Sequence, residues 1–261
     1  DASGDASGDA SGDDVGVDAE AAAESPELDE EDRPDPQLAD APLPTRRAML
    51  DALEWAFAKE SLRDGVLERY ADHALCVLAG NRRLNLTAIV EPRELAVKHY
   101  LDSWRATRYL TLVGRSLLDL GTGAGFPGMP TAMSEPNCRV TLLDARKKRA
   151  DFVAETIAEL GVVNARAVWG RAEEHLVRER YDVVFVRALS SVRENVRLLR
   201  KVRHSFRDLV LFKGPSWSRE VRAAEREADR LGFALDTVWE HELPGEMGQR
   251  ALLVYRAPGS H

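Results

Sequence analysis

Between Thr45 and Tyr109 the apolar residues recur at helical intervals. Thr45 is placed to cap a first helix carrying Ala48, Leu50, Leu53, Trp55 and Phe57. Val66, Leu67, Tyr70, Ala74, Leu75 and Leu78 keep the three- and four-residue spacing of a second helix, predicted from Arg63 to Ala79 and broken by Gly80-Asn81. Pro92 suits the first turn of a third helix, because it lacks an N–H that this turn leaves unpaired. That helix carries Lys98, His99, Asp102 and Ser103. From Ser116 the period changes. Short apolar runs at Ser116–Leu120, Arg139–Asp144, Asn164–Trp169, Asp182–Arg187 and Asp208–Lys213 alternate with amphipathic stretches near 127–134, 147–160, 171–179, 192–206 and 216–231. Strands that return through helices run parallel and are covered on both faces. Two last runs, Ala234–Glu240 and Arg250–Arg256, have no helix-length segment between them, so they pair antiparallel around Pro244-Gly245-Glu246. The pattern predicts an α/β fold: a seven-stranded doubly wound sheet over 114–257, preceded by a helical N-terminal subdomain over 45–113.

Residues 1–44 carry no such period. They open with DASG three times over and continue through AEAAAESPELDEEDRPDPQ, with too little apolar surface to offset the entropy of ordering. The expectation is a disordered acidic leader, with a short tail over 258–261. Charge divides the chain at the same place. The first 45 residues hold fifteen Asp or Glu and one base, Arg33; removing these from 44 acids and 36 bases leaves 35 Lys+Arg against 29 Asp+Glu in the body. A net charge of −8 therefore hides a mildly basic body. The leader can compete with nucleic acid for that body or simply solubilise it. No run of about 18 apolar residues is present, which excludes a membrane-spanning helix. The acidic start lacks the basic and apolar regions of a secretory signal. Cys76 and Cys138 lie far apart without a CxxC, and the six histidines show no ligand spacing, so neither a disulfide framework nor a metal site is expected. The expected setting is the reducing cytoplasm, and the expected state a monomer.

The densest motif follows the first strand: Asp119-Leu120-Gly121-Thr122-Gly123-Ala124-Gly125-Phe126-Pro127-Gly128. Glycines there let main chain approach a ligand and adopt conformations closed to other residues. Gly123 to Gly128 reads GxGxxG, which points to a dinucleotide, whereas Gly121 to Gly125 reads GxGxG, which points to S-adenosylmethionine. Asp119 favours the second, since a carboxylate turned into the crevice suits an ammonium and a sulfonium better than a pyrophosphate. Asp144, ending the second strand, is placed to accept ribose hydroxyls under either reading. Arg171-Ala172-Glu173-Glu174 follows the third strand and is placed to border an adenine.

Methyl transfer is an in-line displacement that depends chiefly on positioning. A D/N-P-P-Y/F turn, used for exocyclic nitrogens, is missing after the fourth strand, where Val186-Arg187-Ala188-Leu189-Ser190 stands instead. Methylation at pyrimidine carbon needs a thiolate, and neither cysteine is placed for it. Ring nitrogens with a free lone pair remain, guanine N7 among them, and these need no general base.

The blocks NLTA (85–88), VKHYLDS (97–103), LLDLGTGAGFPGMP (117–130), LLDARKKRADFV (142–153), GRAEE (170–174), VRALSS (186–191) and LFKG (211–214) occur in one order. Together they resemble the bacterial 16S ribosomal RNA guanine-N7 methyltransferases, the glucose-inhibited division protein B family, over about residues 48–256. The resemblance implies a Rossmann-like methyltransferase fold, S-adenosyl-L-methionine as cofactor, and 16S rRNA or the small ribosomal subunit as partner. It implies methylation of N7 of one guanosine in the 530 loop, guanosine 527 by family analogy. Carried over, Gly121 and Phe126, Ala172 and Glu173, and Arg187 should meet the cofactor; Thr122, Gly123 and Gly125 of the loop join them, as do Asp119 and Asp144. Val186 departs from the small hydroxyl residue often found before that arginine.

Arg187, Lys213 and His99 are the candidate catalytic residues. Arg187 ends the fourth strand, where it is placed to fork onto a carboxylate or phosphate, or to pair structurally with Asp119 or Glu173. On the catalytic reading its loss damages catalysis more than folding. Lys213 ends the fifth strand, as a phosphate-binding lysine or an ordinary surface one. His99 either reaches the cofactor pocket or packs in the core. Arg146, Lys147, Lys148 and Arg149 crowd the first turn of a helix, where the dipole disfavours cations by roughly 0.3–1 kcal/mol each; RNA phosphate or solvent compensates them. A stripe of Arg193, Arg197, Arg200, His204 and Arg207 reads as the charged face of an amphipathic helix or an RNA contact. Trp55, Trp104, Trp169, Trp217 and Trp239 are each able to stack a base, but dispersed aromatics of this kind are expected to be packing residues. Rival readings are a methyltransferase of another substrate, a nicotinamide-dependent oxidoreductase and a non-catalytic RNA-binding module.

Overall fold

The computed structural model describes residues 42–257, so nearly all of the acidic leader and the tail from 258 lie outside the described residues. Seven strands form one sheet: β1 (Ser116–Leu120), β2 (Arg139–Asp144), β3 (Ala165–Trp169), β4 (Tyr181–Arg187), β5 (Phe206–Lys213), β6 (Ala234–Glu242) and β7 (Gln249–Arg256). Their order is β3-β2-β1-β4-β5-β7-β6. The pairs β1 with β2 and β4, β2 with β3, and β4 with β5 are parallel, while β7 runs antiparallel to both β5 and β6. The winding reverses between β1 and β4, and that reversal opens a crevice at their carboxyl ends.

Each predicted strand is present, with ends shifted by a residue or two. The helical stretches match less uniformly. Before the sheet come α1 (Arg46–Ala56), α2 (Val66–Asn81), α3 (Pro92–Leu95) and α4 (Asp102–Tyr109). Thr45 caps α1, its side chain accepting from Ala48 N at 3.1 Å, and Glu91 caps α3 in the same way from Glu94 N at 2.8 Å. Between α3 and α4 the backbone widens into a π turn, Ala96–Leu101. Such turns shift main-chain groups out of the regular ladder, often at functional sites.

After β1 the helices are α5 (Gly128–Ser134), α6 (Lys147–Glu159), α7 (Ala172–Arg178), α8 (Val192–Leu199) and α9 (Trp217–Leu231). The helix predicted to reach 206 stops at Leu199. Val202 and Phe206 fit the helical period, but Phe206 pairs with Tyr181 as the first residue of β5 and packs in the core with Phe233. The arginine stripe is therefore divided. Arg193 and Arg197 lie on α8 and share Glu227 of α9, at 3.6 and 2.7 Å, His204 lies in a 3₁₀ turn, and Arg207 lies in β5.

The sheet has a separate core on each face. One is built from Leu118, Leu120, Val184, Val186, Leu209 and Leu211 packed under α7, α8 and α9. The other joins Leu117, Leu142, Phe185 and Val210 to Met49, Leu53, Tyr70, Val77, Tyr100 and Leu101 of the N-terminal helices. The N-terminal helices thus share the cover of one sheet face with α5 and α6, whose Met129, Met133, Phe152 and Val153 belong to the same core.

Candidate cofactor and active site

The glycine loop leaves β1 at the reversal point, and its residues face two ways. Gly121 (φ +75) and Gly123 (φ +57) turn toward the crevice: a Cβ on Gly123 would meet nothing within 4 Å, and one on Gly121 would meet only the Leu189 side chain, at 3.2 Å. Gly125 and Gly128 face inward. A Cβ on Gly125 would lie 2.8 Å from Met129 Cγ, and one on Gly128 2.7 Å from Asp119 Oδ2. The glycines thus divide between open space and packing, which the spacing alone does not reveal.

Asp119 does not open into the crevice. It has no exposed surface, and its Oδ2 accepts from Thr122 Oγ1 at 2.6 Å and from Gly128 N at 2.8 Å. The carboxylate builds the turn from within, because the first N–H of a helix leaving a tight loop needs an acceptor that water cannot reach. Thr122, also buried, contributes its hydroxyl to the same knot. Burial pushes the Asp119 carboxyl up to about 7, against the pull of those two hydrogen bonds. Asp144 ends β2 beside the loop, its Oδ2 accepting from Gly123 N at 2.9 Å and its Oδ1 from Arg146 N at 2.9 Å. A cavity of about 140 Å³ adjoins these groups, lined by Gly121, Ala145, Gly170, Ala172, Glu173 and Leu189 among others. Ala172 and Glu173, expected from the sequence to border an adenine, both line this cavity.

Arg187 ends β4 and points at the N-terminal helices. Its Nη2 donates to Lys98 O at 2.6 Å and to His99 Nδ1 at 2.8 Å, and its Nη1 to Ser103 Oγ at 3.1 Å. Asp102 lies 3.8 Å from its Nε. The partners are thus the π turn and Asp102, in place of Asp119 or Glu173. A guanidinium only donates, so His99 Nδ1 is the acceptor. The proton is then on Nε2, which faces Thr87 Oγ1 at 2.9 Å. Burial first, and the nearby Arg187 cation second, hold His99 well below the usual imidazole range, so it is neutral. Its ring stacks on Phe126 of the glycine loop, centroids 4.5 Å apart and planes 13° apart. Phe126 also meets His73 and Tyr100 edge-on and is itself buried, so its side chain anchors the loop to the helical layer.

Lys213, 10% exposed, is not a free phosphate ligand. Its Nζ donates to Ser190 O at 2.6 Å and pairs with Glu220 Oε2 at 2.8 Å, while Glu220 also accepts from Val192 N at 3.1 Å. These bonds tie down the segment after Arg187. Within it Ala188 holds a φ of +52, a conformation that side chains disfavour, and Leu189 lies over Gly121.

Among known proteins, the family model for rRNA small subunit methyltransferase G matches residues 66–245. The chain is 35% identical over 207 residues to the Ribosomal RNA small subunit methyltransferase G of Carboxydothermus hydrogenoformans, covering 78% of this chain and 87% of that protein. It belongs to the rRNA small subunit methyltransferase G family. It is also 38% identical over 194 residues to the protein of that name in Deinococcus radiodurans, covering 72% and 76%. Among solved structures it is similar to a methyltransferase from Pyrococcus furiosus at 16% identity and a TM-score of 0.48, covering 60% of this chain and 82% of that one.

Within this methyltransferase, the blocks noted in the sequence converge. VKHYLDS meets VRALSS through Arg187, and NLTA meets VKHYLDS through Thr87 and His99. Asn81, absent from the candidate residues, holds the NLTA loop by accepting from Leu86 N and Thr87 N and donating to Thr87 O. His73 and Glu220 were also missed. A buried histidine on an apolar helix face, or an acid on an amphipathic one, has no sequence signal that separates it from ordinary packing. Among the described residues no helix is long and apolar enough to cross a membrane, and no group of three or more His, Cys, Asp and Glu is placed to hold a metal ion.

Proposed function

We propose that this enzyme transfers the methyl group of S-adenosylmethionine to N7 of a guanosine in the 530 loop of 16S rRNA, in the cytoplasm. The observation that carries the reading is the condition of His99. Its acceptor nitrogen is taken by Arg187, and its other nitrogen carries the proton. Arg187 and Lys213, the other two candidates, are cations without a lone pair to offer. A nucleophile that must lose a proton is poorly served by this trio. Guanine N7 brings its own lone pair and no proton, so placement alone suffices.

S-adenosylmethionine, when bound, supplies an electrophilic methyl group on a sulfonium. The open side of Gly121 and Gly123 leaves room for its approach, Asp144 is placed to accept ribose hydroxyls, and Ala172 with Glu173 borders the adenine slot. Asp119 and Thr122 act through the loop they shape. A dinucleotide fits less well. The first N–H of α5, where a pyrophosphate would bind, already serves the Asp119 carboxyl.

Purified protein incubated with S-adenosylmethionine and unmodified small-subunit RNA or particles tests the reading by mass spectrometry of the RNA. One new 7-methylguanosine in the 530 loop is expected. A methyl group on another atom, or none, overturns it.

A further inference from the structure

Trp169 ends β3, the edge strand of the sheet, and 60% of its surface is exposed. Leaving so large an apolar ring in water forgoes much of the hydrophobic stabilisation that its burial would give. The ring is nevertheless not loose, because Nε1–H donates to Ala145 O at 3.1 Å and satisfies its one polar atom. The other four tryptophans are less exposed: Arg93 lies over Trp55, Phe57 packs edge-on against Trp104, Trp217 packs against the core under α9, and Tyr109 stacks on Trp239. Position adds to the contrast. Trp169 pairs with Asp144 in the ladder, and the next two residues, Gly170 and Arg171, line the cofactor cavity.

We propose that Trp169 is a stacking platform for an unpaired nucleobase of the RNA substrate, next to the target nucleotide, with Arg171 and Lys147 serving its phosphates. The inference rests on the reading of this chain as an RNA methyltransferase. RNA loops present splayed bases that proteins take up on aromatic rings, with cations tracking the backbone beside them. Arg171 is exposed two residues beyond the ring, and Lys147, whose side chain is 60% exposed, opens α6 beside Ala145. Lys147 is shared with Asp151 at 2.7 Å, and Glu174 is exposed nearby, so the patch is of mixed charge. Stacking, which is indifferent to local charge, is therefore the main contribution. The platform lies outside the cofactor slot, so its loss should leave cofactor binding alone.

Steady-state methylation of unmodified small-subunit RNA by the full chain, as wild type, Trp169→Phe and Trp169→Ala, tests this. In Trp169→Ala the KM for RNA should rise roughly 5- to 100-fold, while the KM for S-adenosylmethionine and the Tm stay at wild-type values. Trp169→Phe should lose less, because a phenyl ring keeps a stacking face. The emission present in wild type and missing in Trp169→Phe should be quenched by RNA. An unchanged KM for RNA in Trp169→Ala, with active wild type, overturns the platform alone. A raised KM for S-adenosylmethionine in its place also overturns it, by making Trp169 a wall of the cofactor slot. Wild type that methylates no RNA overturns the functional reading and the platform together.

Discussion

Arg187 Nη2 donates to His99 Nδ1 at 2.8 Å, joining the last residue of β4 to the π turn of the helical layer. This contact sets the histidine's tautomer and holds the ring that stacks on Phe126, so one arginine orients the glycine loop from behind. The sequence expectation that losing Arg187 damages catalysis more than folding is thereby revised.

Arg187→Ala should reduce both. It removes the guanidinium donor from Lys98 O and His99 Nδ1, while Asp102 keeps His241 at 3.5 Å and Arg250 at 4.0 Å, so the loss should be about 1–3 kcal/mol. Where the variant remains folded, the displaced loop should slow methyl transfer by roughly 100-fold. Arg187→Lys keeps the charge without the fork and should fall between. A wild-type denaturation midpoint in Arg187→Ala would refute the structural half of this account.

Acidification should destabilise the protein with a slope of about one proton. Burial pushes His73 down to about 3 and, with Arg187, holds His99 well below the usual range, whereas the unfolded chain protonates both near the ordinary value of about 6.5. Both therefore contribute stability at neutral pH that is lost as the pH falls. Asp119, raised to about 7, opposes them, since the folded state takes up its proton first. Two protons against one leave about 1.4 kcal/mol lost per pH unit between roughly pH 6 and 5. Asp119→Asn removes the opposing proton and should double the slope. Denaturant midpoints at constant ionic strength measure it, and equal slopes for the two proteins would exclude the assignment.

Gly123→Ala and Gly128→Ala should separate binding from packing. A methyl group on Gly123 enters open space, so the cost is backbone strain of about 1–2 kcal/mol, together with a loss of S-adenosylmethionine affinity as the methyl fills ligand space. On Gly128 the methyl collides with Asp119 and Leu142, at 2.7 and 2.8 Å, and should cost about 1–3 kcal/mol of stability. Calorimetric titration alongside thermal melts tells them apart. Normal cofactor affinity in Gly123→Ala would mean that the ligand lies elsewhere.

Lys213 and Glu220 should behave as one unit. Removing either frees the Ser190 segment that carries Leu189 over Gly121, so both single variants should weaken cofactor binding and stability alike. In a Lys213→Met, Glu220→Gln cycle the effects should be non-additive by about 0.5–3 kcal/mol. Additive losses would return Lys213 to an independent role.

Periodicity along the chain determined every strand, the antiparallel closing pair and the order of the helices, because side-chain burial on a sheet or helix repeats at a local interval that sequence displays directly. The glycine loop and the acid ending β2 were legible for a related reason: a tight turn after a strand demands particular residue types at fixed spacing. Direction and partnership were not. Asp119 reads as a ligand and serves as an internal brace; Lys213 reads as a phosphate ligand and holds a loop. Trp169 reads as core and stands in solvent. Each depends on which distant segment arrives opposite, and residues 88 positions apart, such as Arg187 and His99, meet only after β4 and the helical layer have packed on a common core. The sequence states what a side chain is able to do, and the tertiary structure decides which of its hydrogen-bonding groups are already occupied when a ligand approaches.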